Sequence, residues 1–397
     1  MKIVQINATC GIGSTGKICV GISQLLTAQG SENHVLCSRS NGYELGISLS
    51  SRGYLRAQAI KARITGRYGF QSSSATRRMI QELDRLSPDI VHLHNIHGHD
   101  CDIERLFTYF KEKRTKLIWT FHDCWAFTAY CPYFDRVGCD QWRTGCEHCP
   151  QYRNHSLFLD RSRELYQRKN DLFTGLDLTV VTPSQWLADL VKESFLKDYP
   201  VTVINNGIDL SVFRPRESNF REKHGISSDK HVLLGVAFDW GVRKGLDVFL
   251  RLSETLDPNV YQIVLVGTND TVDKQLPANI ISIHRTQNQQ ELAELYSAAD
   301  LFLIPTREDN YPTVNMESLA CGTPVLTFRT GGSPEMLDET CGSVVPRDDD
   351  EAFRDEILRI CEQHPFSSEA CVAMARGFDQ NQKFKEYIKL YERIVAE

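Results

Sequence analysis

Two carboxylates eight positions apart, Asp309 and Glu317, lie in the stretch DNYPTVNMESLACGTP and are the side chains best placed to do chemistry. The run before them, ADLFLIPT at 299–306, is short and apolar and reads as a fully buried strand. A polar loop carries Glu308 and Asp309. Pro312 and Thr313 then open a short helix, with Thr313 as its cap, and Cys321-Gly322 close it. Val325 to Phe328 reads as the next strand. Strand, loop, helix, strand is one unit of a parallel sheet, and ligands of such sheets sit outside the carboxyl ends of the strands, where a helix start offers unpaired N–H groups to an anion. Glu317 near that start can accept two hydrogen bonds from a ribose diol, and an acid on the loop can do the same for a sugar hydroxyl. Lone acids in these places also serve as first-turn charges, so residue type alone leaves both readings open.

The cations that such a site needs follow another strand, His231 to Ala237. There Asp239-Trp240-Gly241-Val242-Arg243-Lys244-Gly245 sets Arg243 beside Lys244. Arginine can fork two phosphate oxygens and lysine adds a point charge, which together suit a diphosphate. A second phosphate-like feature is the turn CGIGSTGK at 10–17, between a strand from Lys2 to Ile6 and a helix from Ile18 to Gln29. It imitates two nucleotide motifs and satisfies neither: Ile18 stands where a P-loop needs Ser or Thr, and Ser38-Arg39 where a dinucleotide fold wants an acid. What remains is a glycine turn at a helix start, in which the backbone of Gly13, Ser14, Thr15 and Gly16 can approach a ligand closely.

Histidines and cysteines form the other clusters. HLHNIHGHD at 92–100 ends a strand; His92 and His94 share one face of it, and the spacing favours structural or cleft roles over a metal. His122-Asp123 ends the strand Lys116 to Phe121, an exposed position from which a histidine can reach a sugar hydroxyl or phosphate. The insertion 124–150 holds Cys131, Cys139, Cys146 and Cys149, ending in a C-x-x-C, in a loop that reads as too polar to pack itself. Four thiolates suit a closed structural zinc, with Trp125, Tyr133, Phe134 and Trp142 as its apolar shell; reduced core cysteines are the alternative, and Cys124 is a bystander.

Composition bounds these readings. A chain of 397 residues, 41% hydrophobic, is ample for two α/β domains. No run approaches a membrane span, and residues 1–10 are too polar for a signal peptide, so a cytoplasmic location is expected. Reducing conditions there argue against a disulfide framework for the 13 cysteines. A net charge of −6 argues against nucleic-acid binding. Residues 49–81 are different, with Arg52, Arg56, Lys61, Arg63, Arg67, Arg77 and Arg78 and no acid. Apolar residues fall between them at roughly helical spacing, which suits an anionic membrane surface or a solvated helix face.

The acid pair, the following SLACGTPV and Thr330-Gly331-Gly332 resemble the donor site of glycosyltransferase family 4, retaining enzymes of the GT-B fold that use nucleotide-sugar donors. PDIVH at 88–92 and TFHD at 120–123 are similar to two further motifs of the family, and NGID at 206–209 with FRP at 213–215 to its interdomain segment. The resemblance implies an α/β GT-B architecture: two Rossmann-like, doubly wound domains facing a cleft. They would span 1–205 and 206–378, and a helix over 379–397 would pack back on the first. It assigns catalytic roles to His122, Asp309 and Glu317. Donor contacts fall on Gly13, Ser14, Thr15, Gly16, Arg243, Lys244, Arg285, Glu308, Thr313, Val314 and Glu317. The family's first acid is usually Glu, so the sugar contact falls on Asp309 or on Glu308 beside it. Its arginine five places before the lysine is replaced by Asp239, which shifts that role to Arg243. The implied activity moves a sugar from a UDP- or GDP-sugar to a glycan or lipid-linked acceptor in surface polysaccharide biosynthesis, at the inner leaflet. No Asp-x-Asp motif is evident near the donor loops, so no catalytic metal is expected. A nucleotide-sugar epimerase of the same fold and a zinc-bearing nucleic-acid module are the rival readings.

Overall fold

The computed structural model describes residues 1–397, which divide into two compact units: Met1–Asn205 with Lys383–Glu397, and Asn206–Gln382. The strands of the first are β1 (Lys2–Cys10), β2 (Glu32–Ser40), β3 (Gly46–Ser48), β4 (Ile90–Leu93), β5 (Leu117–Thr120), β6 (Leu178–Thr182) and β7 (Val201–Val203). They form one parallel sheet in the order β3-β2-β1-β4-β5-β6-β7. Strands such as IVHL and LIWT are buried along their whole length, as a sheet covered on both faces requires. The order reverses between β1 and β4, which leaves a crevice at their carboxyl ends.

Three elements of this unit depart from the sequence expectation. The first helix runs Gly13–Ala28, five residues earlier than Ile18, because the glycine and serine of GSTG are taken into its first turn. The basic stretch is two helices, Arg52–Thr65 and Ser73–Leu86. The second buries Ala75, Thr76, Met79, Leu83 and Leu86, while the first buries only Ala62 and leaves Ile60 and Ile64 exposed. The cysteine-rich insertion does not stand off as a polar loop. Cys124 to Tyr130, Phe134 and Trp142 are buried and join the main core of the unit.

Most of the last helix, Gln380–Ala396, also belongs to this first unit. Phe384, Tyr387, Ile388, Tyr391 and Ile394, one helical stripe, pack against Ile3, Ile22, Ile90 and Ile118 from the sheet and its first helix. Gly21 makes that fit possible, because a Cβ there would collide with the Phe384 ring. Tyr391 donates or accepts at His92 Nδ1 over 2.6 Å, and Lys116 Nζ donates to the Ile394 carbonyl over 2.7 Å.

The second unit has β8 (His231–Val236), β9 (Tyr261–Val266), β10 (Ile280–Ile283), β11 (Leu301–Ile304), β12 (Val325–Phe328) and β13 (Gly342–Val345). This sheet is parallel too, ordered β10-β9-β8-β11-β12-β13, with an apolar cluster on each face. Its order reverses between β8 and β11. No helix of the protein is long and apolar enough to cross a membrane.

Candidate active site

In the second unit the loops that leave β8 and β11 meet at the switch point. Val242–Lys244 forms a single 3-10 turn after β8. Lys244 Nζ reaches Asp309 Oδ2 at 2.5 Å, with both side chains largely buried. Arg243 Nη1 donates to the Glu308 carbonyl at 3.1 Å, and the Arg307 N–H donates back to the Arg243 carbonyl at 2.9 Å. The candidate phosphate cations and the candidate sugar acids therefore form one cluster. Between the two acids, Asp309 faces Lys244 and is half-buried, whereas Glu308 is 5% exposed.

The helix after this loop is Thr313–Ala320, capped at Pro312 and without a side-chain cap, so Thr313 is its first residue and not its cap. Thr313 and Val314 are half-buried at that start, and their position leaves N–H groups directed out of the first turn. Glu317 lies one turn on and accepts a hydrogen bond from the fully buried Tyr296 hydroxyl at 3.2 Å. Burial, reinforced by the Glu317 charge, pushes that phenol well above its ordinary range, so it stays protonated and can donate to the carboxylate. Gly331, after β12, has a φ of 53°, and a Cβ there would run into the Asp309 carbonyl. Gly332 N–H donates to the Asn310 carbonyl at 2.7 Å. The glycine turn thus buttresses the acid loop. The next segment, Ser333–Met336, is a 3-10 turn.

Two features here escaped sequence reasoning. Arg307 forks Asp247 through Nη1 at 2.7 Å and Nη2 at 2.9 Å, donates to the Val242 carbonyl at 2.6 Å and contacts Asp348. Burial acts to raise the Asp247 carboxyl, yet Arg307 and Arg251 hold it below its usual range. Arg307 ties the two site loops together from beneath. The acidic run Asp348–Asp350, whose Asp-x-Asp spacing the sequence reading passed over, therefore does reach the base of the donor loop. Each of its carboxylates is engaged by protein: Asp348 by Arg307, Asp349 by the N–H of Ala352, Asp350 by Arg251. The second feature is Phe238, wholly exposed just past the carboxyl end of β8. Arg285 is not drawn into the cluster; it stands exposed beyond β10.

In the first unit the loops after β1 and β4 meet at the other switch point. Ala8 N–H donates to the Asn95 carbonyl at 2.9 Å, and Asn95 N–H to Asn7 Oδ1 at 3.1 Å. Gly13 and Ser14 are exposed, Thr15 is half-buried and Gly16 is buried, where Thr9 crowds the space a Cβ would take. No side chain caps this helix start. His122, after β5, is half-buried and not exposed as expected. Its Nε2 lies 3.1 Å from His94 Nδ1, whose other nitrogen meets Gln5 Oε1 at 3.1 Å. Burial lowers His122 to about 4 and His92 to about 3, and takes His94 well below the usual imidazole range. All three rings are neutral at neutral pH; with His94 Nε2 donating to Gln5 Oε1, His94 Nδ1 accepts from His122 Nε2. His97 pairs with Asp123 at 3.3 Å. The cysteine set lies in the same unit: Cys131, Cys146 and Cys149 are buried, and Cys139 is half-buried.

Two doubly wound parallel sheets, each with a ligand-type crevice at its switch point, define the GT-B class of transferases. Comparison with known proteins agrees with that geometry. The profile described as "Glycosyltransferase Family 4" matches residues 16–212, and that described as "Glycosyl transferases group 1" matches residues 230–363. Over 375 residues the chain is 24% identical to the putative colanic acid biosynthesis glycosyl transferase WcaC of Escherichia coli, covering 88% of each protein. Among solved structures, sucrose-phosphate synthase from Thermosynechococcus elongatus aligns with a TM-score of 0.74 at 16% identity, over 100% of this chain and 99% of that one. Anabaena Alr3699/HepE in complex with UDP-glucose aligns at 0.69 with 14% identity, over 98% and 99%. The chain belongs to the group 1/family 4 glycosyltransferases and is an enzyme of the glycosyl-transfer class.

Proposed function

We propose that the protein is a retaining, metal-independent transferase that moves a sugar from a nucleotide diphosphate sugar to a glycan or lipid-linked acceptor in surface polysaccharide synthesis. What carries the reading is the meeting of Arg243, Lys244 and Asp309 at the β8/β11 switch point, beside the Thr313 helix start. The diphosphate takes donors from Arg243, Lys244 and the first N–H groups of the helix, and Glu317 takes the ribose hydroxyls. As the glycosidic bond breaks, negative charge gathers on the leaving phosphate, and fixed cations already in place stabilise it without reorganising. These cations supply the charge that a metal would otherwise supply. Asp309 holds a donor-sugar hydroxyl; His122 of the first unit is neutral and serves as a hydrogen-bonding group without charge.

UDP is the favoured nucleotide, because the Anabaena protein of the same fold is described with UDP-glucose. The likeness to a putative colanic acid biosynthesis transferase supports a role in polysaccharide synthesis. Membrane contact, if the acceptor is lipid-linked, falls on the helix Arg52–Thr65. Its exposed Ile60 and Ile64 are flanked by Arg56 and Arg63, and the Leu157 N–H donates to the Arg63 carbonyl, which brings exposed Leu157, Phe158 and Leu159 alongside. The Ser73–Leu86 helix, buried along one face, is left out of that surface.

The test is a thermal-shift screen of UDP- and GDP-sugars, followed by donor hydrolysis or transfer with the stabilising donor. Binding to the native state raises the melting temperature with concentration. Stabilisation by at least one donor, lost in Lys244→Ala, is expected. Equal melting with every nucleotide sugar would overturn the reading. Liposome co-sedimentation with and without anionic lipid, for wild type and Arg63→Glu, checks the membrane contact separately.

A further inference from the structure

We propose that Gln5 and His94 are positioning residues for the transfer reaction: they hold His122 as the Nε2–H tautomer and make its Nδ1 the accepting nitrogen, so that His122 serves a ligand hydroxyl and not a phosphate. The proposal rests on the reading of His122 as a site residue, and it decides between the two partners that its place at the end of β5 leaves open.

The chain of hydrogen bonds starts at a backbone carbonyl, which can only accept. Gln5, fully buried in β1, donates from Nε2 to the Cys19 carbonyl of the first helix at 2.9 Å. That bond orients the amide, because the reverse orientation would set Oε1 against the carbonyl, two acceptors with no proton between them. Oε1 faces His94 Nε2 at 3.1 Å, so this nitrogen carries the proton and donates. His94 is 1% exposed, and burial disfavours its charged form. A neutral imidazole has one N–H, which leaves His94 Nδ1 with a lone pair. His122 Nε2 lies 3.1 Å from that lone pair and must be the N–H donor. The two ring centres are 5.5 Å apart, with planes 15° from parallel. Little more than the two ring radii is left beyond the gap between the nitrogens, so the N–H points along the line of centres, as a hydrogen bond requires. His122 is itself uncharged, and its Nδ1 therefore carries a lone pair.

The sheet keeps this relay in place. Gln5 lies opposite His92 in the β1–β4 pair, and the His94 N–H donates to the Ile6 carbonyl at 2.9 Å. From β5 the Trp119 indole N–H donates to the His94 carbonyl at 2.9 Å. The His92 ring packs on the His94 ring with centres 4.0 Å apart. His94 is thus held from both neighbouring strands, and its ring cannot turn over without breaking the Gln5 bond. Gln5 and His94, both buried, act only through His122. A lone pair at Nδ1 attracts an O–H and repels a diphosphate oxygen, which brings charge but no proton at neutral pH.

The test uses full-length protein with isotopically labelled histidine. Long-range proton–nitrogen correlation at neutral pH, with His122→Asn identifying the resonances, should show Nε2 protonated and Nδ1 unprotonated on His122. In Gln5→Leu, an apolar side chain of similar size, the two tautomers should mix. Its kcat should fall about 3- to 10-fold, the worth of one hydrogen bond, with the donor KM little changed. UDP should bind His122→Ala as tightly as wild type. Wild-type His122 protonated on Nδ1, or exchanging between tautomers, overturns the proposal, and the wild-type spectrum decides this even if Gln5→Leu fails to fold. Full kcat in folded Gln5→Leu overturns it too, as does a UDP affinity about ten-fold weaker in His122→Ala, the mark of a phosphate contact. If the spectrum is as expected but His122→Ala transfers at the wild-type rate, the tautomer stands and the placing of His122 in the site falls, taking the positioning role with it.

Discussion

Glu317 offers the sharpest way to separate ligand binding from stability at the donor site. It is half-buried, and its Oε2 accepts from the fully buried Tyr296 hydroxyl at 3.2 Å. Glu317→Ala removes two things at once: the acceptor proposed for the ribose and the acceptor of a buried phenol. Orphaning that hydroxyl costs about 1–3 kcal/mol of stability. Glu317→Gln keeps an oxygen for Tyr296 and so should melt close to wild type. It turns two charge-assisted ribose bonds into neutral ones, a loss of about 1–1.5 kcal/mol each, or roughly 30- to 150-fold in Kd. Calorimetric titration with UDP and GDP, beside thermal melts, measures both effects. The expected pattern is weakened binding in both variants and destabilisation in the alanine variant alone. If Glu317→Gln binds nucleotide as tightly as wild type, Glu317 does not hold the ribose.

Further outcomes follow from neighbouring features. Arg307→Ala should destabilise the second unit by about 3 kcal/mol, since it strips a fork from Asp247, and Arg307→Lys should restore only part of that; chemical denaturation measures both. Gly331→Ala should cost more than the about 1–2 kcal/mol of the left-handed φ, because the new Cβ must also push the Asp309 carbonyl aside, and nucleotide affinity should fall with that loop; paired melts and titrations would show it. The buried histidines set an acid limit. Their folded pKa values lie below the ordinary 6.5, so the unfolded chain binds more protons below that value. Stability should be full above about pH 6.5 and fall on acidification down to about pH 4, at roughly 1.4 kcal/mol per pH unit for each such ring. A melting temperature constant between pH 7.5 and 5 would contradict the burial assigned to His92 and His94.

The sheets were legible because buried parallel strands are short unbroken apolar runs: ADLFLIPT and KLIWTF announce β11 and β5 without any partner in view. The acids and cations of the donor cluster were legible for a related reason, since each directly follows such a run. What sequence could not give was their pairing. Lys244 and Asp309 are 65 residues apart, and only the strand order β8-β11 makes them neighbours. Arg307 was hidden in the same way, as one charged residue in a charged loop whose partners Asp247 and Asp348 lie in distant segments. The start of the first helix was misplaced because GSTG carries turn residues, and their glycines conceal a helix whose buried face begins only at Gly16. The insertion looked polar because its aromatic residues follow no regular period; burial there comes from tertiary packing, as of Phe127 against Phe121 and Trp125 against Phe173, not from a repeating pattern.

The helix that ends at Ala396 has a consequence for how the protein is made. Ile3, Ile90 and Ile118 are synthesised early, yet the side chains that cover them, Phe384 to Ile394, emerge after the whole second unit. The earlier unit therefore cannot complete its core on the ribosome ahead of the later one, against the usual order of domain-by-domain folding. A fragment that stops at residue 205 would expose a greasy stripe and precipitate or recruit chaperones, and a peptide spanning 380–397, added back, is the natural agent to rescue it.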